Sequence, residues 1–199
     1  MGAMADHPNL EAAARLTASI VTGVGDEQLD NPTPCDERDV QQLLAHIDGL
    51  SQAFTAAAAK DFGPLTDTAP DESDASLGDD WRRRVPAQLA ALAQAWSDPS
   101  AWEGMTRAGG IDLPGEVGGL VALDEVAIHG WDLAVATGQP YEPDDATAAV
   151  VHGFLLENRK EPVPEALFGP VVEVADDEKT FDRALGLAGR DPGWNPHHS

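Results

Sequence analysis

The chain has one cysteine, Cys35, so it can form neither an internal disulfide nor a cysteine-built zinc cluster, and a reducing compartment is the expected setting. Aromatic residues are scarce at 6%, and β-branched runs are short while leucine and alanine dominate the apolar set, which favours helix over sheet. Basic residues are also few. Twelve stand against 35 acids for a net charge of -23, a surface that repels nucleic-acid phosphates and anionic membranes and so excludes both as partners. No stretch approaches the roughly 18 apolar residues of a membrane span, and the N-terminus lacks a basic region followed by an apolar one, so a cytoplasmic location is expected. No glycine-rich phosphate loop, nucleophile elbow or nucleic-acid motif is present. Only three of the twelve bases are lysine, which with the alanine and glycine content suggests a high-GC, actinobacterial coding sequence.

What is present is helical periodicity in a chain whose 42% hydrophobic content suffices for one core. A first helix is expected from about Leu10 to Val24, with Thr17 as a neutral filler on its apolar face. The proline-containing stretch DNPTPC, residues 30–35, breaks it. A second helix starts at Asp39, whose pairing with Gln42 three positions later forms a capping box, and runs to about Ala59 through Val40, Leu43, Leu44, Ile47, Leu50 and Phe54. Residues 61–80 hold seven acids and no bases and read as a long mobile loop. No frame there meets the EF-hand pattern. Trp81 to Trp96 forms a third helix if Pro86 lies in its first turn. Gly109 and Gly110 predict a short hairpin or irregular crossing before Pro114. A fourth long helix covers about Glu116 to Thr137 and a fifth Pro143 to Asn158, followed by an extended tail and a short helix over 180–187. Residues 1–9 are expected to be a tag scar and a disordered N-terminus, 10–158 the bundle with its added helix, and 159–199 a C-terminal extension packed on it. The expected fold class is all-α, a four-helix bundle.

On the fourth helix Glu125, His129 and Asp132 fall at i, i+4 and i+7 on a polar stripe beside the apolar positions Leu120, Leu123, Ala127, Trp131 and Ala134. A carboxylate and an imidazole four apart stand one above the other and can converge on one ion. The third ligand must come from another helix, and spacing leaves both His46 and His152 open; His7, His197 and His198 sit in terminal segments. Two histidines and a glutamate leave a divalent ion with an open position, as catalytic sites do. Cys35, in a proline-bounded turn without a neighbouring base, reads as a small packing residue. The Trp81-Arg82-Arg83-Arg84 cluster reads as charge balance for Asp79 and Asp80, and Trp96 and Trp131 as core.

The segments TPCDERDVQQLLAHIDGL and LDEVAIHGWDLAVATGQP, with their histidines about 80 residues apart, together resemble the mycothiol-dependent maleylpyruvate isomerase N-terminal-like proteins of the DinB-like metal-binding superfamily. The resemblance implies a four-helix bundle of up-down-down-up topology in which His46, Glu125 and His129 bind a divalent metal, zinc first and nickel as the alternative. It disfavours His152 and makes Asp132 a group that orients a ligand, against the plainer reading of a solvated or capping aspartate. It also implies an enzyme that uses a small-molecule thiol, mycothiol or a relative, for S-transfer or isomerisation of a small electrophilic substrate. A noncatalytic metal- or ligand-binding protein and a metal-dependent hydrolase are the alternatives, and both monomer and homodimer stay open. Two departures stand out: Arg38 occupies the corner where the family pattern has tryptophan, and the stretch after the fifth helix is too small for the C-terminal domain of full-length maleylpyruvate isomerases, so maleylpyruvate is not the expected substrate.

Overall fold

A computed structural model describes residues 7–35, 38–68, 77–160 and 169–196. Its helices are α1 (Glu11–Gly23), α2 (Val40–Ala59), the single turn α3 (Pro64–Asp67), α4 (Trp81–Trp96), the single turn α5 (Pro99–Trp102), α6 (Gly115–Ala136), α7 (Asp145–Asn158) and α8 (Thr180–Leu187). An antiparallel hairpin, β1 (Met105–Ala108) and β2 (Ile111–Pro114), turns at Gly109 and Gly110 and leads into α6. The capping box at Asp39 and Gln42 forms as the sequence predicts, each side chain accepting the other residue's backbone N–H.

The four long helices α1, α2, α4 and α6 make the bundle. α1 and α2 lie on one diagonal, α4 and α6 on the other, and each packs against both members of the opposite diagonal. Hydrogen bonds fix the directions. Arg84 pairs with Asp48 and the Trp96 indole donates to the Phe54 carbonyl, so α4 runs parallel to α2. Arg82 reaches the Val24 carbonyl at one end of the bundle while His7 stacks on Trp102 at the other, so α4 runs against α1. The Gln139 amide donates to the Ile20 carbonyl, bringing the C-terminal ends of α1 and α6 together. The order is up-down-down-up. Leu43, Leu44, Ile47, Val85, Leu89, Leu92, Ala127 and Leu133 are fully buried between the helices, so the core is continuous along the bundle.

Several expectations change. Thr17 is no filler: fully buried, it donates to the Val126 carbonyl at 3.1 Å and lies 3.3 Å from the Tyr141 hydroxyl, because Gly130 lets α1 and α6 approach too closely for a side chain there. Pro86 is the sixth residue of α4, inside the helix rather than in its first turn. The acidic stretch is not loop throughout, since α3 forms within it and Thr66 accepts the Gly110 N–H at 2.8 Å; residues 69–76 of that stretch lie outside the described residues. Arg83 and Arg84 do pair with Asp80, but Arg84 also holds Asp48 and Arg82 pairs with Asp26. Of the tail, residues 161–168 lie outside the described residues, as do residues 1–6 and His197 and His198. Among the described residues no helix is long and apolar enough to cross a membrane.

Candidate metal centre

α6 is buried around most of its circumference, so its polar residues are held inside the protein and must find partners there. Of the stripe, His129 and Asp132 are buried and only Glu125 keeps partial exposure. Glu125 Oε2 lies 3.1 Å from His129 Nε2 and 3.7 Å from His46 Nε2, and the two imidazoles meet edge to face with centroids 4.8 Å apart. One ligand atom from each of the three residues lies within 4.8 Å of the others. His46 reaches the cluster because it borders the buried face of α2, one residue before the fully buried Ile47. His152 faces elsewhere, toward Arg183 and the 171–176 segment.

Asp132 decides the state of His129. Its carboxylate is fully buried, and Oδ2 lies 3.0 Å from His129 Nδ1, which leaves Nε2 directed at Glu125. A buried carboxylate on one imidazole nitrogen fixes the ring and presents the other nitrogen as a ligand. Burial opposes charge on His129, yet the hydrogen bonds to Asp132 and Glu125 overcome it and hold its pKa up at about 10. Burial likewise opposes ionisation of Glu125, but the two imidazoles hold its carboxyl well below the usual range. Neighbouring Asp124 is pushed the other way, well up, first by burial and then by the Glu125 charge, and its Oδ1 has no hydrogen-bond partner among the described residues. Two carboxylates held low thus converge on histidines, while burial pushes a third, Asp124, the opposite way.

The donor set suits a divalent ion. Two imidazole nitrogens and a carboxylate are borderline ligands of the zinc type, and atoms bound about 2 Å from one ion stand roughly 3–4 Å apart. The spacings around Glu125 Oε2 fall in that range. The cluster is also reachable: the His46 and His129 side chains are 9% and 11% exposed, whereas Glu125 keeps 32%. The groove between α1 and α4, about 590 Å³ and lined by Arg15, Pro86, Trp96 and Trp102, shares no residue with it.

Residues 10–134 match the family described as the mycothiol maleylpyruvate isomerase N-terminal domain. The chain belongs to this family. Among curated proteins it is similar to two uncharacterized proteins of Mycobacterium tuberculosis, from strains CDC 1551 / Oshkosh and ATCC 25618 / H37Rv, each 33% identical over 135 residues. Each alignment spans 66% of this chain and 66% of the relative, just short of two thirds. No solved structure matches significantly. The matched stretch of the mycothiol maleylpyruvate isomerase N-terminal domain contains Cys35, His46, Glu125, His129 and Asp132, and it ends before the C-terminal segment.

Two residues at the centre escape a reading of the sequence. Cys35 is half-buried, and its sulfur lies within 4.8 Å of ligand atoms of His129 and Asp132. It is therefore no simple packing residue. The buried Thr33 hydroxyl, which accepts the Cys35 N–H and lies 2.7 Å from the Arg38 carbonyl, folds the TPC corner toward α6, and Arg38 donates to the sulfur at 3.1 Å. Arg190 is the other: Nε and Nη2 grip Asp132 at 3.1 and 3.0 Å. It lies 58 residues from its partner, and only its place after Gly189 at the end of an amphipathic helix marks it in the sequence.

Proposed function

We propose that this protein is a divalent-metal-dependent enzyme that brings a low-molecular-weight thiol of the mycothiol type to a small electrophile, for S-transfer or isomerisation. The observation that supports this reading is the convergence of His46 with Glu125 and His129 across α2 and α6, in a chain of the mycothiol maleylpyruvate isomerase N-terminal domain family. His46 and His129 would hold the ion through Nε2 and Glu125 through its carboxylate, with zinc the first expectation and nickel the second. When bound, the ion supplies Lewis acidity that favours thiolate over thiol near neutral pH. Asp132 keeps the His129 ring in register and its Nδ1 occupied, so that Nε2 is the nitrogen that would give up its proton to the ion. The partly exposed Glu125 marks the side from which thiol and electrophile approach, and this accessibility favours the enzyme over an ion that only ties α2 to α6.

The test is elemental analysis of zinc-reconstituted protein beside the variants His46→Ala and His129→Ala. The expected result is about one ion per chain in the parent and loss of that stoichiometry in both variants. Unchanged content in both would refute the ligand set. Titrating cobalt-loaded protein with a small thiol should then produce a sulfur-to-metal absorption band. If the ion binds but neither thiol nor electrophile does, and chelation melts the fold, the role is structural; water-dependent turnover without thiol would make the protein a hydrolase.

A further inference from the structure

We infer that Arg190 is a positioning residue for the metal ligand His129, acting through Asp132, so that the C-terminal segment forms part of the metal centre. The inference rests on the proposed ligand set of His46, Glu125 and His129. Arg190 lies outside the stretch that matches the family, and its place in the centre follows from the contacts it makes.

The Asp132 carboxylate lies in the interior with no exposed surface, where an unpaired charge is strongly unfavourable and a carboxylate held at one oxygen can rotate away from its partner. Arg190 removes both problems. Its Nε donates to Oδ1 at 3.1 Å and its Nη2 to Oδ2 at 3.0 Å, a two-pronged grip that fixes the plane of the carboxylate. Oδ2 is the same oxygen that lies 3.0 Å from His129 Nδ1. One atom is thus shared by the guanidinium and the imidazole. A guanidinium keeps its charge, so the Asp132 carboxylate stays fixed against His129 Nδ1 and the ring stays turned with Nε2 toward Glu125.

The geometry of the tail fits this role, because Arg190 is itself held. α8 ends in a Schellman turn: Gly189 adopts φ +80°, its N–H donates to the Gly186 carbonyl, and the Arg190 N–H donates to the Leu185 carbonyl. A side chain at Gly189 would also stand 3.0 Å from the Gly169 backbone. Arg190 Nη1 donates to the Ala188 carbonyl at 3.2 Å, and Arg159, the residue that caps the C-terminus of α7, holds the carbonyls of Leu187 and Gly169. All three guanidinium nitrogens are therefore committed, to Asp132 and to the turn that carries Arg190.

The test compares the full chain with Arg190→Ala and Arg190→Lys, reading zinc affinity by chelator competition and the visible spectrum of the cobalt-loaded protein. Arg190→Ala is expected to bind zinc at full stoichiometry but about tenfold or more weakly, with an altered cobalt spectrum. Lysine keeps the charge without the grip and should recover only part of the loss. Adding Arg190→Ala to Asp132→Asn should weaken binding no further than Asp132→Asn alone. A purely structural anchor would lower the melting temperature but leave affinity and spectrum unchanged in both Arg190 variants, and that outcome overturns the inference. If Arg190→Ala fails to fold, Arg190→Lys decides by the same readings. A parent protein that binds no zinc would overturn the ligand set and this inference together; zinc lost in His129→Ala but indifferent to Arg190 would sink this inference alone.

Discussion

His129 stands between two carboxylates with different tasks. Asp132, fully buried, holds Nδ1, and Glu125, a third exposed, faces Nε2. The Glu125 and His129 spacing is legible in the chain, since residues four apart on a helix share a face. That Asp132 is buried is not legible: its i+7 position suits a solvated carboxylate equally well, and the groups beside it, Arg190 and Cys35, come from distant parts of the chain. A different aspartate yields a pH-dependent prediction. Asp144 caps α7 by accepting the Thr147 N–H at 2.7 Å, and this bond lowers its pKa. A carboxyl whose pKa is lower folded than unfolded stabilises the fold above its unfolded value near 4 and loses that contribution as pH falls through the folded value. Asp144→Ala should therefore cost about 1 kcal/mol at neutral pH, with the gap from the parent narrowing in acid. Urea unfolding at pH 7 and at pH 3 would measure both.

At the level of elements, periodicity and caps locate the long helices because each signal is local: an apolar stripe, a capping box, a glycine or proline at an end. The positions that sequence places badly are those where an element meets another. α3 forms inside an acidic stretch because the hairpin supplies a partner for the Thr66 carbonyl. Pro86 is tolerated inside α4 because the packing of Val85, Leu89 and Leu92 carries the helix past it. A proline at the sixth helical residue lacks the N–H that would bond four residues back, to Arg82. Pro86→Ala is accordingly expected to raise stability by roughly 1–3 kcal/mol, seen as a higher urea midpoint at an unchanged slope. An unchanged or lower midpoint would mean that the ring, which lines the groove between α1 and α4, contributes more through packing than the missing bond costs.

Across the whole molecule, the proposed ligands sit on two helices that run in opposite directions and meet through the core, so an ion at the cluster would link segments about 80 residues apart. Binding to the folded state alone stabilises by mass action, about 2.7 kcal/mol when free ion exceeds its dissociation constant a hundredfold. Thermal unfolding with increasing zinc should show a rising midpoint in the parent protein and none in His46→Ala. A midpoint indifferent to zinc in the parent would count against a folded-state site. The acidic surface adds a general attraction for cations, so the comparison with His46→Ala is what separates site binding from that background.

The sequence by itself determined the helical class, the boundaries of the long helices to within a residue or two, and the Glu125–His129 pair, because these depend on contacts three or four residues apart. Spacing alone left His46 and His152 as equal candidates, and the motif resemblance chose His46. Tertiary structure brought His46 to the pair and turned His152 away, since which helix faces α6 is a property of the bundle and not of any local pattern. It also decided that Cys35 leans toward the same cluster and that Arg190 grips Asp132. Both depend on chain reversals, at the TPC corner and at Gly189, that bring groups far apart in sequence together, Arg190 within hydrogen-bond reach of Asp132 and the Cys35 sulfur within 4.8 Å of ligand atoms of His129 and Asp132.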